Sequence, residues 1–239
     1  MQADFHSYRF AQEILQHPKY QQAWTEITQV IQEAPLFVYH SKSTKHAGLD
    51  VVQQVLNAFF DRRLAVDLGW GYHPLATEIE DSGLSADFRK TFEDLPIQVE
   101  VQFGNMARWY SDVFKFQTAY SQGQIRLALS IVPKLQLARR IDQNVVSYER
   151  VVRELPSAEL SLTLPILVAG LLPDETTPVV DLTATKFPSF TSISRKVDNS
   201  RRIVQAYLEG RPMATVGEDS PVGPVPQTIK PSPPTDADL

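Results

Sequence analysis

The chain has 239 residues, 43% hydrophobic and 21% charged, which suits one large folded domain with a sizeable core. It has no cysteine, so disulfides and thiolate metal sites are excluded, and no run of 18 apolar residues, so no membrane span is expected. The net charge of −5 is unevenly spread: residues 1–107 carry net −6, residues 108–153 net +5, and residues 181–212 net +3, so two basic blocks stand out from an acidic background.

Met1–Tyr8 is polar and lacks the basic start and apolar run of a secretion signal, so the cytoplasm is the expected location. The first third reads as helical. Ala11, Ile14 and Leu15 form one apolar stripe. Pro18 can open a second helix, in which Tyr20, Trp24, Ile27, Val30 and Ile31 recur at helical spacing, and Pro35 closes it. Residues 41–48 read as a polar loop. A third helix is expected over 49–63, burying Val51, Val52, Val55, Leu56, Phe59 and Phe60. Residues 64–86 are irregular, and the spacing around Gly69-Trp70-Gly71 is not that of a phosphate or dinucleotide loop.

A strand near Ala86–Phe88, a turn at Glu93–Pro96 and a strand over 97–103 suggest a hairpin with a connection longer than a tight turn. Asn105 can cap the next helix, with Met106, Trp109, Tyr110, Val113, Phe114 and Phe116 as its apolar positions and Gly123 at its end. Ile125–Val132 is strand-like, and Lys134, Arg139 and Arg140 follow in a loop. Asp142 or Asn144 can start a helix running to Leu155. Leu164–Leu171 is almost all apolar, as in a strand buried on both faces. Residues 181–208 mix possible strands with basic residues. From Met213 onward there are six prolines in 27 residues, which predicts a flexible acidic tail after a single domain of residues 1–212. Strand and helix alternate through the middle of the chain, as in an α/β fold.

Ile97-Gln-Val-Glu-Val-Gln-Phe103 alternates without a break. Glu100 and Gln102 therefore share one face, roughly 6–7 Å apart, with the Val101 backbone between them. With Asp87 upstream, such a set can gather a divalent cation, a water and a phosphate, which points to a metal-dependent nuclease. Mg²⁺ suits carboxylate, carbonyl and water ligands. Asp87, Glu100 and the Val101 carbonyl are the candidate ligands. Asp87, Glu100 and Gln102 are the candidate catalytic residues, with Gln102 able to hold a water but not to act as a base. Alternation is also what any half-exposed strand shows. Glu93 and Asp94 are alternative carboxylates, although beside Pro96 they read better as turn residues. The five histidines lack zinc-site spacing, and no P-loop or nucleophile elbow is present.

Val99-Glu-Val-Gln-Phe-Gly-Asn105 resembles the catalytic strand of the BglII-type restriction endonucleases, a branch of the PD-(D/E)xK nucleases with Gln where most relatives have Lys. Ala86-Asp87-Phe88-Arg89-Lys90 resembles the strand that carries the family's first metal-binding Asp. The likeness runs over roughly residues 1–172. It implies a mixed central sheet flanked by helices, with a helical N-terminal region. It also implies a homodimer that cuts both strands of double-stranded DNA at a short palindrome with Mg²⁺, beside a cognate DNA methyltransferase. Asn105, Arg108, Lys115, Lys134, Arg139, Arg140, Gln143 and Asn144 are the candidate DNA contacts. Gln143 and Asn144 stand roughly where the family reads bases, with a cap and a surface amide as the alternative. The 13 positions from Asp87 to Glu100 are more than the family's hairpin implies. A further polar residue of the family's site has no evident counterpart among Arg63–Asp67. A decayed DNA-binding protein of the same fold and a structure-selective nuclease are the alternative readings.

Overall fold

The structure, a computed structural model, describes residues 1–228 apart from residues 41, 44, 45, 47, 159 and 160. The expected loop over 41–48 and the end of the expected tail thus lie partly outside the described residues.

The chain opens with a strand, β1 (Gln2–Tyr8), where helices were expected to begin. A short helix α1 (Ala11–Leu15) follows, then a 3₁₀ turn at Pro18–Tyr20 that leads into α2 (Gln21–Glu33). Ala23, Ile27, Val30 and Ile31 bury one stripe of α2, as their spacing predicts. After β2 (Leu36–Val38) comes α3 (Gln53–Phe60), which starts later than expected because Val51 instead bridges Val38. From Asp61 to Asp67 the helix widens into π-helical winding. Such widening is frequent at functional sites.

A short strand β3 (Gly71–Tyr72) precedes β4 (Phe88–Phe92) and β5 (Leu95–Val101). Phe92 pairs with Leu95, so only Glu93 and Asp94 make the turn, with Glu93 in the left-handed region at φ 55. The expected long connection is therefore corrected: the strands are long and the turn is tight, and β5 begins and ends two residues before the expected 97–103, so Gln102 and Phe103 lie just past its end. Then come α4 (Met106–Ser121), β6 (Leu127–Pro133), α5 (Leu135–Ile141), α6 (Tyr148–Glu154) and β7 (Ile166–Leu172). Arg139 and Arg140 thus lie on a helix, not in a loop, and α6 begins only at Tyr148, after Ser147. The region expected to mix strands holds one strand, β8 (Val179–Asp181), and two helices, α7 (Phe190–Ser194) and α8 (Val197–Leu208).

Six strands form a mixed sheet in the order β1-β7-β6-β5-β4-β3, while β2 and β8 pair separately. The central strands β5, β6 and β7 are parallel, and β1, β4 and β3 are antiparallel to their neighbours. Both faces are covered. Ile97, Val99, Leu127, Leu129 and Leu167 join Val55, Leu56, Phe59 and Phe60 of α3 in one core. Ala128, Val132, Ile166 and Val168 join Trp109 and Phe116 of α4 and Val151 of α6 in the other. At Gly170 an added Cβ would fall 2.4 Å from the Tyr148 ring, so glycine lets α6 lie close on β7.

Two further expectations change. Tyr110 and Phe114, two of the apolar positions read on α4, are 48% and 61% exposed and do not join its buried face. Residues 213–228 are not a free tail. Val216 is fully buried, Lys186 N–H donates to the Val216 carbonyl, and Thr228 bridges Tyr72 of β3. The second basic block serves this attachment: Arg202 donates to the Ser220 carbonyl and Lys196 pairs with Glu218.

Candidate active site

The β4–β5 register sets the geometry. Phe88 pairs with Val99, so Asp87, one residue earlier, stands opposite Glu100. Val101 N–H donates to Asp87 Oδ2 at 2.8 Å, which pins the carboxylate beside the strand. The spacing of 13 positions is absorbed by paired strand, and Asp87 keeps its place across from Glu100. Asp87 itself sits directly before β4, which begins at Phe88, two residues after the start of the strand expected near Ala86–Phe88.

The polar face of β5 is not half-exposed. Gln98 and Glu100 are both 0% exposed, because α4 lies across them. Gln98 Nε2 donates to Glu100 Oε1 at 3.2 Å, and Arg89 in turn donates to Gln98 Oε1 at 2.9 Å. From α4, Lys115 forms ion pairs with Glu100 Oε2 and, at 2.9 Å, with Asp112 Oδ1. Gln102 Nε2 donates to Asp112 Oδ2 at 2.7 Å, while its Oε1 accepts from Gly104 N–H at 2.8 Å. A Cβ at residue 104 would approach Gln102 Oε1 to 2.6 Å, so a side chain there would displace the Gln102 amide from its present place.

These groups border a cavity of about 340 Å³ lined by Asn57, Asp61, Tyr72, His73, Asp87, Val101, Gln102, Arg108, Asp112 and Lys115, among others. Glu100 stands just behind that wall. Burial pushes the Glu100 carboxyl well above its usual range, and the Asp87 charge adds to this against the pull of Lys115. Burial raises Asp87 to about 6, with Lys115 and the Val101 N–H opposing. Asp61 rises to about 7 through burial and the neighbouring Asp87 charge. Burial works against the Lys115 charge, yet Glu100 and Asp112 outweigh it and hold the ammonium above its ordinary range.

Three crowded carboxyls with raised pKa values mark a site short of positive charge. Among the described residues no group of three or more His, Cys, Asp and Glu side chains is arranged to hold a metal. Two carboxylates and a carbonyl, completed by water, are nevertheless the usual surroundings of Mg²⁺. Asp87, Glu100 and Val101 therefore fit a hard divalent cation that keeps several waters.

The other candidates divide. Arg108 lines the cavity from the first turn of α4, whose N-terminus is capped by Asn105 through a 3.1 Å bond from Arg108 N–H. Lys115 is not the surface phosphate contact expected of the first basic block but a member of the buried cluster. Lys134 pairs with Asp4, and Arg140 holds Asp50 through two bonds of 2.9 and 2.7 Å. Arg139, Gln143 and Asn144 are exposed. The loop carrying Gln143 and Asn144 is tied to the start of α4 by a Val146 N–H bond to the Gly104 carbonyl at 2.8 Å. Gln143 also meets the His46 ring at 3.0 Å.

Asn57, Asp61, Tyr72, His73 and Asp112 escaped the reading of the sequence. Within Arg63–Asp67, where a further polar site residue was expected, Arg63 and Asp67 instead form ion pairs. Asn57 and Asp61 lie four residues apart on one helical face, a spacing that could have found them. His73 has φ 49, its N–H donates to the Asp87 carbonyl at 3.0 Å, and its ring stacks on Tyr72.

The fold has known counterparts. A crystal structure of the restriction endonuclease BglII complexed with a DNA 16-mer aligns with a TM-score of 0.62 and 23% identity, over 74% of this chain and 79% of that one. Free BglII aligns with a TM-score of 0.50 and 20% identity, over 74% and 82%. No curated protein sequence matches. The family model "Restriction endonuclease BglII/BglIII" matches residues 3–171, most of the chain and all of the β4–β5 hairpin. The chain thus belongs to the BglII/BglIII family of restriction endonucleases, and it is a type II site-specific deoxyribonuclease.

Proposed function

We propose that this enzyme cuts both strands of duplex DNA at a short palindrome, as a homodimer and with Mg²⁺. The observation that carries the reading is Asp87 set opposite Glu100 across β4 and β5, with the Val101 backbone between them at a cavity wall. Asp87, Glu100 and the Val101 carbonyl would hold the ion. Bound there, Mg²⁺ lowers the pKa of a coordinated water and neutralises charge on the scissile phosphate. Asp87 is pre-aimed by the Val101 N–H. Gln98 and Lys115 fix Glu100 from two sides, so no rearrangement of the strand is needed when substrate arrives.

DNA as the substrate is supported by the BglII–DNA complex and by the exposed Arg108 and Arg139 near the loop after α5. Gln143 and Asn144 have amides suited to an adenine edge in the major groove. Exposed Tyr110 and Phe114 give α4 an apolar strip that a second copy would cover. No described helix is long and apolar enough to cross a membrane. A cytoplasmic enzyme paired with a DNA methyltransferase of the same specificity completes the reading. The test is plasmid cleavage: with Mg²⁺, discrete fragments of reproducible ends are expected. A smear, or intact plasmid across several divalent metals, would refute it.

Metal binding should depend on pH. Asp87 and Asp61 have folded pKa values of about 6 and about 7 against 3.8 for the free side chain. The folded protein holds these protons more tightly, so their contribution to stability is fully present below about pH 4 and is lost as pH rises through about 6 to 7. Mg²⁺ needs the carboxylates ionised. The rise in Tm caused by Mg²⁺ should therefore be small near about pH 5 and larger near about pH 8. An equal rise at both pH values would contradict the assignment.

A further inference from the structure

We propose that Lys115 is the catalytic cation of this site, delivered from α4, and that Gln102 is a positioning residue that holds it through Asp112. The inference rests on the nuclease reading above and names the group that faces the phosphate.

Phosphodiester hydrolysis gathers negative charge on the non-bridging oxygens as the water oxygen bonds to phosphorus and the bond to the sugar oxygen breaks. A proton leaves the water to solvent, and the departing oxygen takes one up from solvent. A bound Mg²⁺ would supply part of the balancing charge, and a fixed cation of the protein at that phosphate adds to it. The catalytic strand supplies none, because Gln102 is neutral and its amide is already engaged by Asp112 and Gly104. Among the described residues, two cationic side chains, Arg108 and Lys115, line the cavity. Arg108 is exposed on the first turn of α4, in a place suited to the DNA backbone beyond the cut. Lys115 is the inner one, its side chain 12% exposed.

An ammonium has three N–H groups. Lys115 gives one to Glu100 Oε2 and one to Asp112 Oδ1, which leaves a third for the cavity. The two carboxylates fix the ammonium in place before any substrate arrives, which is the preorganisation that electrostatic catalysis needs. Asp112 spans the two roles: one oxygen holds Lys115 and the other is held by Gln102. Lys115 neither gives nor takes a proton in the step.

The absence of any cysteine allows a direct test. Lys115→Cys should cleave plasmid DNA about 10²-fold more slowly than wild type in single turnover, with DNA affinity measured in EDTA unchanged. Treatment with 2-bromoethylamine, which adds an aminoethyl group to the new thiol and rebuilds an ammonium at nearly the same reach, should restore most of the rate. Treatment with iodomethane, which leaves a neutral thioether, should not. Lys115→Met serves as the second variant, with thermal unfolding to verify the fold. For Gln102, Gln102→Ala should slow cleavage yet leave affinity in EDTA intact, and Gln102→Glu should not rescue it, since a carboxylate would repel Asp112.

Cleavage within about threefold of wild type for Lys115→Cys or Lys115→Met would overturn the proposal. So would a matching loss of DNA affinity, which would make Lys115 a docking contact, or failure of the aminoethyl group to restore the rate. If the wild-type chain itself cuts no DNA, the nuclease reading falls and takes this proposal with it. An active wild type with unaffected Lys115 variants refutes the proposal alone.

Discussion

Glu100→Ala is expected to lower DNA cleavage on the order of 10³-fold while leaving DNA binding in EDTA close to wild type. Glu100 is fully buried and touches both the strand's own polar ladder, through Gln98, and the cation from α4, through Lys115. Its loss removes a metal ligand and loosens Lys115 together, so the rate should fall by more than either effect alone. Removing one member of a buried ion pair can also cost about 3–5 kcal/mol when the partner is stranded. Lys115 retains Asp112, so the fold should survive. Glu100→Gln keeps the shape and the Gln98 contact and separates the two effects: it should melt near wild type and remain inactive. Cleavage within about tenfold of wild type, or a joint loss of binding and cleavage in both variants, would count against the role given to Glu100.

Trp70→Ala should be the most destabilising single truncation in the wall behind the cavity, by about 3–5 kcal/mol. Trp70 is 2% exposed, packs on Phe92 with ring centroids 5.5 Å apart, and donates its indole N–H to Glu26 Oε2 at 2.9 Å. Glu26 is itself nearly buried and balances Lys90, so the truncation opens a large void and removes a donor from a buried carboxylate. Trp70 immediately precedes β3, whose Tyr72 lines the cavity, so cleavage should weaken as well. Thermal or urea unfolding reads the effect, for which a Tm fall of roughly 10 °C is expected in a chain of this size. A loss below about 1 kcal/mol would show that the site collapses around the missing ring and that the packing argument is wrong.

Several parts of the fold are legible in the chain because they rest on local periodicity. The apolar stripe of α2, the Asn105 cap of α4, and β7 as a strand buried on both faces follow from spacing and residue type within a few positions. Glu100 and Gln102 stand out for the same reason, since alternation along one strand is a local signal. The hairpin turn was misread. Nothing local to Glu93-Asp94 announces a two-residue turn, as neither is glycine or asparagine; strand pairing forces Glu93 to φ 55. The strap of residues 213–228 departs from the expected free tail too, because prolines forbid a ladder but not packing, and the buried Val216, the Lys196–Glu218 ion pair and the Arg202 bond to the Ser220 carbonyl are enough to attach it.

Residue order alone picks out a strand around Ile97–Val101, the Glu100 it carries, and the family whose hairpin it matches; the strand ends at Val101, so Gln102 and Phe103 follow just past it. Tertiary structure decided which charges meet. Basic residues read as a DNA-facing block were sorted by their partners: Arg140 to Asp50, Lys134 to Asp4, Lys115 to Glu100 and Asp112. Lys115 reaches Glu100 because Trp109 and Phe116 bury against Ala128, Val132 and Val168, which lays α4 over the polar face of β5. Apolar packing places the helix, and only then do side chains distant in the chain become neighbours. No spacing rule along the chain carries that information, since the force that brings the groups together acts on other residues than the ones that react.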